Sequence, residues 1–255
     1  MWFLSLNKNK EIGIIYSAYS DKGRRDGENQ DAYFVFRSEN FSLFCIADGM
    51  GGHSKGEVAS GEITKAIEKW LKGLYEKKML LSQMIFDEFE KVVDSINLKI
   101  YKEYNQASIC GATIVALLIK NGEYCVISAG DSRAYKVEKG KIIQITRDDV
   151  WINESGDERF NADNGKLTKA VGIAESLICN RVTGSIDNGT VFFLCTDGVY
   201  KVIAEKELNK IVRTTRKSKH DAQMDAVLEM IKQNVLCKGA PDNNTGILVK
   251  CIYGG

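Results

Sequence analysis

Four aspartates sit where apolar segments meet polar ones. Asp31 precedes residues 32–37, Asp48 ends Phe44-Cys45-Ile46-Ala47, Asp197 follows Val191-Phe192-Phe193-Leu194-Cys195-Thr196, and Asp242 shortly precedes residues 245–252. If such residues cluster, each carboxylate raises the proton affinity of the next unless cations neutralise them. A metal site is the simplest explanation. The donors are oxygens and there is no His or Cys cluster with zinc spacing, so Mg²⁺ or Mn²⁺ is the expected ion rather than Zn²⁺. Gly49, Gly51 and Gly52 follow Asp48 and let backbone come close to an ion, and the Gly49 carbonyl can add an oxygen. Two ions about 3.5–4 Å apart would hold and activate a water between them. Taken alone, residues 44–53 fit equally well as a strand-to-helix turn with a capping aspartate.

The elements that must position these residues can be read from apolar periodicity. Residues 12–20 and 32–37 read as strands separated by a polar loop. Ser38-Glu39-Asn40 then turns 32–37 back along the Asp48 strand as an antiparallel hairpin. Ile63, Ala66, Ile67, Trp70, Leu71 and Leu74 mark one amphipathic helix, and Met84, Ile85, Phe89, Val92, Val93, Ile96 and Ile100 a second. These stripes are core positions, and the two helices should lie antiparallel. Residues 112–119, 124–129, 133–137 and 142–145 read as an antiparallel meander, with turns at Asn121-Gly122 and Lys139-Gly140. Residues 147–166 form a polar, flap-like surface insert whose large apolar side chains are Trp151, Ile152 and Phe160. Strands follow at 177–184, 190–196 and 245–252, with helices at 206–212 and 222–235 between the last two. The order is that of an α+β protein with helices covering sheets.

Composition narrows the function classes. The chain has 255 residues, 44% hydrophobic and 27% charged, enough for a substantial core in one domain. A formal charge of +1 provides no field for polyanions, so nucleic acid is not an expected partner. No apolar run reaches the length of a membrane span and the N-terminus does not read as a signal peptide. Seven cysteines without a C-x-x-C pair fit a reducing compartment, and the expectation is a cytoplasmic protein. No cysteine has an arginine six positions on, which excludes the cysteine-nucleophile route to phosphoester hydrolysis. His53 is expected near the site without being a ligand, and His220 at a solvated helix start.

The ordered set of short motifs resembles the metal-dependent protein phosphatases of type 2C in their compact bacterial form. Asn29-Gln30-Asp31, Asp48-Gly49-Met50-Gly51-Gly52-His53 and Cys110-Gly111-Ala112-Thr113 come first. Ala129-Gly130-Asp131-Ser132-Arg133 and Leu167-Thr168-Lys169-Ala170-Val171-Gly172 follow, then Cys195-Thr196-Asp197-Gly198-Val199 and Asp242-Asn243-Asn244-Thr245. The resemblance implies a four-layer αββα sandwich of two antiparallel sheets flanked by antiparallel helix pairs. It also implies that Asp48, Asp197 and Asp242 bind one metal, that Asp48 and the Gly49 carbonyl bind a second, and that Asp31 holds water ligands of the second. The implied reaction is attack of a metal-activated water on phosphoserine or phosphothreonine, with an arginine clamping the phosphate. The partner would be a phosphoprotein, the product of a Ser/Thr kinase, and the enzyme a monomer with two Mn²⁺ or Mg²⁺ ions.

Several positions depart from the family pattern. Three residues separate Arg25 from Asn29 where two are usual, so Arg24 and Arg25 compete for the phosphate role, with Arg25 preferred. Gln30 replaces a frequent glutamate, and Met50 a histidine of eukaryotic relatives. The insert lacks the usual D-H-S. In the family a third metal sits between the aspartate of G-D-S-R, here Asp131, and an acid four residues after Asp197. That position is Lys201. Two metals are therefore expected and none at Asp131, unless Lys201 swings into solvent. Asp131-Ser132 and Cys110–Thr113 are expected to be structural. The rival to an active phosphatase is a catalytically silent phosphatase-like module that binds a partner.

Overall fold

The structure is a computed structural model that describes residues 12–39, 41–51, 55–76, 84–104, 109–138, 140–151, 153 and 166–253. Asn40, Gly52, His53, Lys139, Ile152, Phe160 and most of 147–166 lie outside the described residues. The order of elements is β1 (Ile12–Asp21), β2 (Asp31–Arg37), β3 (Ser42–Met50), α1 (Lys55–Glu76), α2 (Ile85–Tyr104), β4 (Gly111–Ala112), β5 (Ile114–Lys120), β6 (Glu123–Ala129), β7 (Arg133–Glu138) and β8 (Lys141–Gln144). It continues with β9 (Asn180–Ser185), β10 (Val191–Cys195), α3 (Asp197–Tyr200), α4 (Glu205–Val212), a 3₁₀ turn (Arg213–Lys217), α5 (Asp221–Cys237) and β11 (Asn244–Tyr253).

One sheet has the order β1-β11-β10-β7-β8 and the other β2-β3-β5-β6-β9, with β4 paired to β3. All the pairs are antiparallel. The apolar runs of β3, β5 and β10 are continuous because both faces of each are covered. Phe44, Ile46, Val115 and Leu117 point to the inter-sheet core, where they meet Phe192, Leu194, Ile247 and Val249. Leu43, Cys45, Ala116 and Leu118 point the other way, onto Ile63, Ile67, Phe89 and Val93 of α1 and α2. On the opposite side Phe193 and Leu248 pack under Leu208 of α4 and Met224, Leu228 and Ile231 of α5. Two helix pairs thus sandwich two sheets, as expected.

The differences from the sequence reading have local causes. The expected strand 112–119 is two strands, because at Thr113 the Asp48 N–H of β3 bonds the threonine hydroxyl in place of a backbone carbonyl and interrupts the ladder. The expected meander is two hairpins in different sheets. β5 and β6 turn at Asn121-Gly122, both at positive φ as a two-residue hairpin requires, and the chain then crosses to the other sheet through Gly130. The strand expected from 177 begins at Asn180. The start of the expected surface insert is built into the interior. Asp149 is 4% exposed and accepts bonds from the Gly130 N–H at 3.1 Å and the Asn180 amide at 2.9 Å, with the Lys169 ammonium 3.2 Å away.

A buried lysine ties the last strand to the helical layer. Lys250 of β11 is 5% exposed, and its Nζ donates to the carbonyls of Thr215, Arg216 and Ser218 at 3.0, 2.9 and 2.7 Å. It satisfies the end of the 3₁₀ turn, where the Thr215 carbonyl also takes the Ser218 N–H at 2.9 Å, while burial pushes the lysine's own pKa down. Lys250→Met keeps the stem and removes the donors. It is expected to lower urea-unfolding stability by about 2–4 kcal/mol, the scale of orphaning buried carbonyls. A variant within about 0.5 kcal/mol of wild type would show that the carbonyls find water instead.

Candidate active site

The site begins with the β2–β3 ladder, whose register sets Asp31 directly opposite Asp48. Asp48 is not in a turn, as the glycines after it suggested, because β3 runs on through Met50. Its backbone is pinned on the far side by Thr113, which donates its N–H to the Asp48 carbonyl at 2.8 Å. Thr113 also accepts the Asp48 N–H on its hydroxyl at 3.1 Å, and that hydroxyl bonds Ser132 at 2.7 Å. The glycine at 49 serves close packing. A Cβ there would stand 2.2 Å from the Gly56 carbonyl oxygen and 2.7 Å from that of Gln30. α1 can therefore start against the end of β3, and the Gly49 N–H donates to Gln30 at 3.0 Å.

Asp197 and Asp242 come from the other sheet. Asp197 opens α3 at the end of β10, and Asp242 lies in the turn before β11. These two loops touch so closely that a Cβ at Gly198 would be 2.0 Å from the Asn243 carbonyl oxygen. Asn243 then reaches across, accepting the Gln30 N–H at 2.9 Å and donating to the Lys22 carbonyl at 2.8 Å. Both sheets thereby deliver acids to one cleft of about 270 Å³. Arg25, Asp48, Gly49, Asp131, Asp197, Lys201 and Asp242 line it, with Met50, Gly51, Thr113 and Leu167.

Asp31 stands behind this lining, 8% exposed. Its Oδ2 accepts hydroxyls from Thr196 at 3.0 Å and Thr245 at 2.7 Å, whereas its buried Oδ1 has no hydrogen-bond partner among the described residues. Burial pushes its pKa up to about 6, against the pull of the two threonines. Burial also pushes Asp48 well above the carboxylate range, and Asp31, Asp197, Asp131 and Asp242 all add to that. Asp131 is raised as well, by burial and then by Asp197. The set is thus short of positive charge although two cations reach it. Arg25 donates to Asp242 at 2.8 Å, and Lys201 sits 2.6 Å from Asp197 and 3.5 Å from Asp131. An orphaned buried carboxylate oxygen and carboxylates that raise one another are what a divalent-cation site made of oxygen donors requires.

All six residues singled out from sequence, Arg25, Asp31, Asp48, Gly49, Asp197 and Asp242, meet at this cleft or directly behind it. Arg25 enters the lining. The neighbouring Arg24 uses its N–H to bond the Ala240 carbonyl at 2.8 Å. His220 stands exposed at the start of α5, as expected, with no capping bond from its side chain. Lys201 does not swing away from the acids. The sequence reading missed Thr113, Thr196 and Thr245 as the groups that fix Asp48 and Asp31. Their only signal was a threonine inside or beside each aspartate motif.

A family model described as Protein phosphatase 2C matches residues 21–232. The serine/threonine phosphatase stp of Listeria monocytogenes is 26% identical over 245 residues, covering 91% of this chain and 93% of that protein. Among solved structures, the serine/threonine phosphatase of S. agalactiae superposes with a TM-score of 0.79 at 24% identity, covering 93% of this chain and 99% of that one. The catalytic domain of the serine/threonine protein phosphatase PstP, in complex with two manganese ions, gives 0.75 at 23% identity, with 94% and 99% covered. The matched family segment stops short of Asp242, yet the Asn243 bridge shows that the last motif belongs to the same site. The chain belongs to the protein phosphatase 2C family.

Proposed function

We propose that this chain is a metal-dependent serine/threonine protein phosphatase whose cleft holds two divalent cations, Mn²⁺ or Mg²⁺. The observation that carries the reading is the convergence of Asp48, Asp131, Asp197 and Asp242 beside Arg25 in one cleft. The Listeria relative, a serine/threonine phosphatase, and the manganese in the PstP structure support it. Asp48, Asp197 and Asp242 would hold one ion, and Asp48 with the Gly49 carbonyl the other, with Asp31 behind the second. Bound ions of this kind supply a nucleophilic water at neutral pH and neutralise phosphoryl charge.

The chain's own residues supply the rest. Thr113 holds the Asp48 main chain by two bonds, so the direction in which its side chain leaves the strand is set before any ligand arrives. Thr196 and Thr245 keep Asp31 turned with one oxygen free. Arg25, leaving Asp242, is placed to take two phosphate oxygens by its planar fork. The reading extends to substrates made by a Ser/Thr kinase, and to one cytoplasmic, monomeric domain. No helix among the described residues is long and apolar enough to cross a membrane. The rival reading, a silent binding module, is disfavoured because a decayed site would be expected to have lost an acid. The deciding assay is Mn²⁺-dependent phosphate release from a phosphothreonine peptide, compared with a phosphotyrosine peptide.

Asp48→Ala should reduce that rate by several powers of ten, on the order of losing metal activation of water, with an unchanged circular dichroism spectrum. A near-normal rate would sink the ligand assignment. Arg25→Ala is expected to raise KM and to lower kcat/KM by roughly 2–3 kcal/mol, with Arg24→Ala nearly silent. The reverse ranking would shift the phosphate role by one residue.

The Asp31 carboxyl gives a pH signature when EDTA is present. Its folded pKa, about 6, lies above the ordinary value near 4, so between those values the folded protein keeps a proton that the unfolded chain has lost. Stability is therefore greatest below about pH 4 for this group and falls as pH rises to about 6, by on the order of 3 kcal/mol. Asp31→Asn should flatten that fall in urea titrations between pH 4.5 and 7. Parallel wild-type and variant curves would exclude the shift.

A further inference from the structure

Asp197 and Asp131 reach the cleft from different elements, one at the start of α3 and one in the crossing between β6 and β7. A single ammonium lies against both. Lys201 Nζ is 2.6 Å from one Asp197 oxygen and 3.5 Å from one Asp131 oxygen. The acids are largely withdrawn from solvent, with side chains 21% and 10% exposed. The lysine is one helical turn after Asp197 and its N–H bonds the Asp197 carbonyl at 3.0 Å, so the tether between ammonium and carboxylate is short and fixed. Acid first and lysine four residues later is also the favourable order on a helix.

Asp131 is held for this contact. It accepts the Tyr200 hydroxyl at 3.3 Å, the Tyr200 ring lies 3.5 Å from the Arg133 guanidinium carbon, and Arg133 is paired with Asp148 at 2.7 Å. The pair on the other side of the cleft differs in its acid. Arg25 and Asp242 are 43% and 41% exposed, whereas Lys201, 56% exposed, lies against acids that are largely buried.

We propose that Lys201 is a built-in competitor for divalent cations, a tethered counter-ion of Asp131 and Asp197 that weakens metal binding through Asp197 and keeps Asp131 out of metal coordination. The inference rests on Asp197 being a metal ligand, as the proposed function has it. An ion that binds Asp197 through the bonded oxygen must break a charge-assisted hydrogen bond. It also meets a like charge tethered nearby at high effective concentration. Lys201 thus sets the free-cation level at which the cleft loads.

The test needs no substrate. EDTA-stripped wild type, Lys201→Met, Lys201→Arg and Arg24→Met are titrated with Mn²⁺ by calorimetry. Lys201→Met should bind its tightest Mn²⁺ about tenfold more strongly than wild type, while the other two stay within about twofold. Equal affinity in Lys201→Met overturns the proposal, and so does an equal gain in Arg24→Met, since a general loss of charge would then suffice. Asp131→Asn in the wild-type background should leave the number of bound Mn²⁺ unchanged, and loss of one ion there also overturns it. A wild type that binds Mn²⁺ but hydrolyses no phosphothreonine peptide would defeat the phosphatase reading and leave this one standing. Failure of wild type and Lys201→Met alike to bind Mn²⁺ defeats both.

Discussion

The repulsion between Asp31 and Asp48 is the constraint on which the rest of the site depends. Neighbours across an antiparallel ladder are forced into contact, and two carboxylates there are unfavourable in any sheet. The surroundings contain the repulsion without removing it. Two threonine hydroxyls satisfy one oxygen of Asp31, and Thr113 fixes the backbone of Asp48. What stays unbalanced is negative charge concentrated at one place. A protein whose only purpose was stability would have replaced one of the pair.

That concentration needs the loops at one end of each sheet to lie tight, and glycine makes it possible. Gly49 admits Gly56 of α1, and Gly198 admits Asn243, so backbone touches backbone where side chains would have held the loops apart. Asn243 then fastens the loop before β11 to the segment before β2. Asp31 is thus held by hydroxyls from the opposite sheet as well as by its own ladder. A small shift between the layers would open the cleft and separate the ligands together.

Much of this was legible in the sequence, and the limits follow from physics. Asp31, Asp48, Asp197 and Asp242 announce themselves at the boundaries of apolar runs, and the β2–β3 hairpin follows from Ser38-Glu39 between two such runs. The allocation of β5 to β8 between two sheets was not legible. Strands covered on both faces lack the alternation that would show which layer each side chain enters. Asp149 read as surface because its neighbours are polar, while its burial depends on Gly130, Lys169 and Asn180, partners distant in sequence. Lys201 could be identified as an anomaly, but its direction depended on a tertiary contact with Asp131.

The position of β11 bears on how the protein comes into being. It lies between β1 and β10, and among the described residues it is the only sheet neighbour that β1 has. β1 therefore waits for β11, a pairing of high sequence separation and correspondingly slow closure. The wait extends to the site, since Thr245 and Asn243, which hold Asp31 and Gln30, belong to the same late segment. A ribosome-bound chain would carry an unpaired β1 and an unanchored Asp31 until residues 242–253 emerge. Catalytic competence and completion of the first sheet would then arrive in one step, so partial chains cannot act on phosphoproteins during synthesis.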